Sequence, residues 1–386
     1  MDGAGVEQLL AAKEIIVVCG SGGVGKTTTA AALATVAAAD LGAKVLVLTV
    51  DPARRLASAM GLDALGNAET RVSRDAFVDA GLEPRGELWA AMLDTKQSWD
   101  ELVRRHAPDA ATRDAILANP LYRNVTGKFV HSHDYIAMER LYELHSSGVY
   151  DLIVVDTPPT RHAIDFLEAP ERMADFFSSR LLRWLLVPYR SRLLNAASRP
   201  FYQIADRALG SAFLSDVAEF FILFQSMYGG FVTRAQAVEQ VLEDRRTSFV
   251  VVTTLEAAPA QEARRFVEVL AAKRLHLGAV VLNRVLPTGL LEGGAREAAR
   301  ELRARPQELA DTLAALEASP GSPALIASVL EELGESFRNF AVVAKREAEQ
   351  RAELGVDPAL VTTVPSLDTD IFDLAGLARL GQELRR

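Results

Sequence analysis

Gly20-Ser21-Gly22-Gly23-Val24-Gly25-Lys26-Thr27 follows the apolar run Ile15-Ile16-Val17-Val18 and opens an alanine-rich stretch from Thr28 to Ala39. Strand, glycine loop and helix, in that order, are the setting in which a phosphate-binding loop works. Glycines let consecutive backbone NH groups turn inward around phosphates, a lysine adds a point charge at the β and γ positions, and the helix N-terminus favours an anion. Lys26 is that charge, and the Thr27 hydroxyl is a Mg²⁺ ligand. Gly22, Gly23, Val24, Gly25 and Thr28 complete the cofactor-binding set, so a nucleoside triphosphate and Mg²⁺ are the expected cofactors. A glycine-rich dinucleotide-binding turn has no use for Gly-Lys-Thr.

Outward from this loop, short apolar runs alternate with helical patterns: Ile15 to Cys19, Val45 to Thr49, Leu152 to Val155, Phe249 to Thr253, Val280 to Leu282 and Leu360 to Val364, with Glu87 to Leu93 as a further candidate, although its Trp89-Ala90-Ala91-Met92 also suits a helix. Runs apolar on both faces read as buried parallel strands. The expected fold is α/β, a mostly parallel P-loop NTPase sheet covered by helices, with an inserted apolar helical subdomain.

Residues 1–172 and 246–386 read as the nucleotide-binding core, which includes a helical segment over about 98–147. Residues 173–245 read as the helical insert, a candidate client or partner surface. There Phe213, Val217, Phe220, Phe221 and Phe224 recur at helical spacing, with Asp216 and Glu219 facing away. Late in the chain Ile326, Leu330, Leu333, Phe337 and Phe340 mark a long helix that ends in the charged segment Lys345 to Glu353. Ile371, Phe372, Leu374, Leu377, Leu380 and Leu384 form a last amphipathic stretch, which either caps the sheet or touches a membrane surface.

The 386 residues are 49% hydrophobic and 24% charged, an ordinary globular composition. A net charge of −9 argues against a surface that grips nucleic acid throughout. The N-terminus lacks the pattern of a signal peptide and no apolar run reaches bilayer length, so a cytoplasmic protein without an integral membrane segment is expected. The single cysteine, Cys19, cannot build a disulfide, a CxxC zinc site or a multi-thiolate metalloid site, and no zinc is expected.

Two further motifs sit at strand ends, where ligands of an open α/β sheet bind. Val50-Asp51-Pro52-Ala53 follows the second strand, and Asp156-Thr157-Pro158-Pro159-Thr160 follows Leu152 to Val155. Asp156 is suited to hold a Mg²⁺ water, which leaves Asp51 to orient or deprotonate the attacking water. The catalytic candidates are Asp51 and Lys26, and the metal candidates are Thr27 and, through water, Asp156.

Together with Gly22 to Thr29, these motifs resemble the deviant P-loop, switch I and switch II of the arsenite-pump ATPase family, which includes the ATPase that guides tail-anchored membrane proteins. Met138-Glu139-Arg140-Leu141, Val281-Leu282-Asn283-Arg284 and Val364-Pro365-Ser366-Leu367 extend the resemblance along nearly the whole chain. It implies ATP hydrolysis by a dimer, nucleotide contacts from Asn283 and Pro365, and adenine recognition by Asn283. A strand-terminating turn is the alternative reading of Asn283.

The chain also departs from the family. A lysine that reaches the partner's nucleotide is implied at the position of Ser21, and the family's interface CxxC is absent. Hydrolysis is then slow, or Arg54 or Arg55 supplies the cation, or a lysine-bearing paralogue does so in a mixed dimer. The leading expectation is an ATPase whose homodimer or mixed dimer opens and closes around an apolar polypeptide client. A poorly hydrolysing regulatory subunit is the alternative, and a membrane-surface ATPase of the division-site kind is third.

Overall fold

The computed structural model describes residues 4–50, 54–125, 130–158, 167–169, 172, 175, 219–223, 227–315 and 322–385. Asp51 to Ala53, Pro159, Thr160 and most of the expected insert, with Phe213, Val217 and Phe224, lie outside the described residues.

The strands are β1 (Ile15–Cys19), β2 (Lys44–Thr49), β3 (Thr70–Arg71), β4 (Glu87–Met92), β5 (Leu152–Asp156), β6 (Thr247–Thr253), β7 (Leu277–Val285) and β8 (Val361–Pro365). They form one sheet in the order β3-β4-β2-β5-β1-β6-β7-β8, parallel except for the two-residue edge strand β3. The seven parallel strands are the seven apolar runs of the sequence, shifted by at most three residues at their ends. Edge strand β3 carries too few residues to show a period, and nothing in its sequence announced it.

Alternate side chains of each strand enter two separate cores, as a sheet covered on both faces requires. Ile15, Val17, Ile153, Val155, Phe249 and Val251 pack on one face. That face is covered by α3 (Thr95–His106), α4 (Val130–Ser146), α5 (Tyr228–Glu243) and α6 (Ala257–Ala272). On the opposite face Ile16, Val18, Val154, Val250 and Val252 pack under α1 (Ala4–Ala12) and α2 (Lys26–Ala39). Helix α2 is alanine-rich because it lies flat on the sheet between other elements, and nearly all of its residues are buried.

Between β7 and β8 the chain leaves the sheet for α7 (Gly293–Ala304), α8 (Pro306–Ala315) and α9 (Pro323–Glu353), which pack mainly on one another as an arm. Small residues make the close contact: a Cβ on Gly334 of α9 would meet the Ala299 carbonyl of α7 at 2.8 Å. The arm is tied to the sheet where Glu347 Oε2 accepts the Leu286 amide just past β7, at 3.0 Å. The sequence reading assigns the long helix but does not separate an arm.

The final helix, α10 (Leu374–Leu384), packs as the capping reading of that stretch has it. Its apolar face, Leu374, Leu377, Leu380 and Leu384, is buried in the α2 core, and Gly381 lets the two helices touch through Val36. Four buried leucines contribute about 1.5–3 kcal/mol each to the fold. That face is therefore part of the core and does not present itself to a bilayer, whereas Phe372, just before the helix, is exposed.

Candidate functional site

All parallel strands end on one edge of the sheet, and the glycine loop lies there between β1 and α2. Gly20 is required by proximity, since a Cβ would collide with the Val252 carbonyl on β6. Gly25 caps α2 with φ +100°, and a Cβ there would strike the Asn283 amide nitrogen. The first turn of α2 carries no acidic residue, so its positive end meets an anion without competition. Lys26 is almost fully buried, and its Nζ donates to the Ser21 carbonyl across the loop at 2.9 Å. Gly22 and Gly23 are exposed, Val24 is buried, and Thr27 and Thr28 are half-buried on the first turn of α2.

Asp156 closes β5 beside the loop, 1% exposed. Its Oδ2 accepts from Thr27 Oγ1 at 2.7 Å and from Thr49 Oγ1 at 3.1 Å. The register pairs Thr49 with Asp156, so two neighbouring strand ends aim oxygen atoms at the helix start. Next along the chain, Thr157 Oγ1 donates to the Val18 carbonyl at 2.9 Å, which anchors the strand end to β1. A hydroxyl and a carboxylate at the mouth of a phosphate loop fit Mg²⁺, a hard cation that takes oxygen ligands and keeps several waters. Asp51 lies outside the described residues. The chain departs toward it from this same edge, where the Val50 amide donates to the Asp156 carbonyl at 3.2 Å.

The other side of the loop is gripped through its backbone. Asn283 Nδ2, at the end of β7, donates to the Val24 carbonyl at 2.8 Å, and its Oδ1 accepts the Arg284 amide at 3.0 Å. An amide nitrogen has two hydrogens and the oxygen two lone pairs, so each atom retains capacity for a further partner. Arg284 turns the strand with φ +58°, a geometry that matches the turn reading, while the Asn283 side chain lies beside Gly25 of the loop. Pro365 ends β8 opposite Val285, one strand beyond Asn283, and is exposed.

Ser21 is 9% exposed, and its hydroxyl donates to Glu262 Oε2 on α6 at 2.5 Å. Glu262 is absent from the sequence reading. On α6 it flanks the buried seam of Ala260, Ala263, Phe266 and Leu270, and nothing local separates it from a solvent-facing glutamate. Cys19 is buried at the end of β1, and burial pushes its thiol up to about 12, consistent with a small core residue. Arg54 and Arg55 open a short helix, and their side chains lie outside the described residues.

On the α3–α4 face, the Met138 to Leu141 segment is structural in its contacts. Tyr135 Oη donates to Glu139 Oε2 at 2.9 Å, Arg234 of α5 ion-pairs with Glu139, and Arg140 pairs with Glu69 at 2.7 Å. Burial raises the Glu139 carboxyl and Arg234 opposes that shift. The pair joins the last helix within the bounds of the expected insert to the helix that feeds β5.

The sequence profile of the anion-transporting ATPase family matches residues 13–308, which contain the loop, both strand-end motifs and Asn283. An uncharacterised protein of Streptomyces coelicolor is 30% identical over 273 residues, 70% of this chain and 62% of that one. A putative arsenical pump-driving ATPase of Aquifex aeolicus is 26% identical, over 69% of this chain and 79% of its own length. ATPase GET3 of Malassezia globosa is 25% identical, over 69% and 71%. The match takes in the glycine loop with its lysine, the β5 carboxylate and the strands that carry them, and on that extent the chain belongs to the anion-transporting ATPase family.

Proposed function

We propose that this chain is a Mg²⁺-dependent ATPase whose nucleotide state opens and closes a dimer around an apolar polypeptide client or partner. The observation that carries the reading is the Thr27–Asp156 hydrogen bond, which joins the loop to the β5 end with the two oxygen donors a Mg²⁺-nucleotide needs. When bound there, Mg²⁺ offsets negative charge on the phosphate oxygens. Lys26 leaves the Ser21 carbonyl for the β and γ phosphates, and the loop amides fix the remaining oxygens. Asp51 orients water in line with the γ-phosphorus and accepts its proton as the bond to the β–γ bridging oxygen breaks. Asn283 holds Gly25 and Val24 in place and offers its remaining capacity to the adenine edge, with Pro365 beside it.

The client surface is assigned to residues 173–245 on their apolar pattern, and the dimer is a homodimer or a mixed dimer with a paralogous ATPase. Among the described residues no helix is long and apolar enough to cross a membrane; a cytoplasmic location without an integral segment is part of the proposal. No nucleic acid partner and no zinc are part of the proposal.

Ser21 favours a second reading, a slowly hydrolysing regulatory subunit. Its hydroxyl is committed to a carboxylate, so this loop offers no cation to a partner's nucleotide from that position. Single-turnover ATP hydrolysis by the purified chain, with and without Mg²⁺ and with candidate paralogues, tests both. Mg²⁺-dependent turnover by the chain alone supports the first reading. Turnover that needs the paralogue supports the second, and tight Mg²⁺-free turnover sinks the metal assignment.

A further inference from the structure

Helix α9 carries an apolar arc wider than its own partners cover. Ala327, Gly334 and Ala344 are buried within the arm. On the adjoining face Val329 (47% exposed), Leu333 (55%), Phe340 (53%) and Val343 (44%) stand in solvent. With Ser336 between them, their spacing is four, three, four and three, the a and d pattern of a heptad seam. At 3.6 residues per turn the five fall within about 80° of arc. Single exposed apolar residues need no explanation, but a continuous seam over two heptads is a contact surface.

Charge selects the occupant and its direction. Glu332 and Arg346 hold the same flanking position, one at each end of the seam, and among the described residues neither has an ion-pair partner. In an antiparallel pair with Leu333 opposite Val343 of a second copy and Phe340 opposite its Ser336, each Glu332 meets an Arg346 of the other copy. Asn339 then meets itself at the two-fold axis. A parallel pair would instead set Arg346 against Arg351 of the second copy, a like-charge contact. We infer that α9 is a self-association helix, and that the arm of one molecule pairs antiparallel with the arm of a second copy of this chain. The inference does not depend on the nucleotide reading. The seam runs about 21 Å at 1.5 Å per residue. It is well short of a standard stable interface, so the pairing is weak and reversible.

Site-directed cross-linking of the full chain tests it. Under mild oxidation Leu333→Cys/Val343→Cys gives a covalent dimer. Neither single variant does, because its two cysteines are separated by about 15 Å along the axis, beyond the roughly 7 Å limit for a disulfide. Buried Cys19 does not compete. Adding Glu332→Arg slows cross-linking by about tenfold, and adding Arg346→Glu to that variant restores it. All four positions face solvent, and unchanged thermal melts confirm that the fold is intact. The inference is overturned if the double variant does not cross-link, if Leu333→Cys alone cross-links as fast, or if the rate ignores both charge reversals. Any of these would assign the seam to a partner of different sequence or to the other direction.

Discussion

The glycine loop is held from two sides that are built differently. Toward β5 the contacts are among side-chain oxygens, with Thr27 and Thr49 converging on buried Asp156. Toward β6 and β7 the contacts seize the loop itself: Asn283 takes the Val24 carbonyl, and Glu262 takes the Ser21 hydroxyl while the Ser21 carbonyl takes Lys26. On the proposed function the first group is a ligand set whose mutual hydrogen bonds are exchangeable for a cation and water. The second is a brace that sets the loop's shape. Chemistry and loop shape are thereby assigned to different strands, and mutations should separate them.

The largest expected effect is on the chemical side. Asp51→Asn should slow single-turnover hydrolysis by about 10²–10⁴-fold, the usual worth of a positioned base, while Mg²⁺-ATP still binds. Equal rates for variant and parent would move the water-activating role elsewhere. Lys26→Ala should weaken ATP binding by about one to two orders of magnitude by calorimetry, the equivalent of about 1.5–3 kcal/mol for a charged hydrogen bond. Near-normal affinity in a folded variant would remove the site assignment.

The bracing side should respond more mildly. Asn283→Ala leaves the Val24 carbonyl without its donor and should cost about fivefold to tenfold in ATP affinity. A parallel GTP titration sharpens the comparison, because an equal loss for GTP assigns the effect to the brace and a loss confined to ATP assigns it to adenine recognition. Glu262→Gln keeps an acceptor for Ser21 and should change KM by only about twofold or threefold without changing kcat. A large fall in kcat would place Glu262 on the chemical side after all. The smallest expected effect is that of arsenite, which should leave turnover unchanged. One buried thiol, held protonated up to about pH 12, cannot assemble a three-thiolate site, and saturable activation would refute this.

What was legible beforehand followed from local rules. Strands buried on both faces read as almost continuous apolar runs, and these located seven of the eight, including half-buried β8 with its Thr362 and Thr363; β3 was not located because two residues have no period. That the glycine loop, Thr27 and Asp156 would meet was legible for a related reason: each stands at or beside a strand end that local pattern locates. Glu262 was not legible. It meets Ser21 across 241 residues of chain, and its own surroundings on α6 match those of any surface glutamate.

The two amphipathic helices near the C-terminus mark the same boundary. Sequence alone determined that α9 and α10 each carry an apolar stripe, because a 3.6-residue period is a property of the segment. Only the tertiary structure decided that α10 lies on α2, where Gly381 admits Val36, and that the seam of α9 faces water. It likewise decided that Asn283, 259 residues from Val24, would reach back to hold the loop. Period and turn chemistry are written within a few consecutive residues. Which surface meets which depends on the relative placement of elements far apart in the chain, and that information exists only once the sheet has formed.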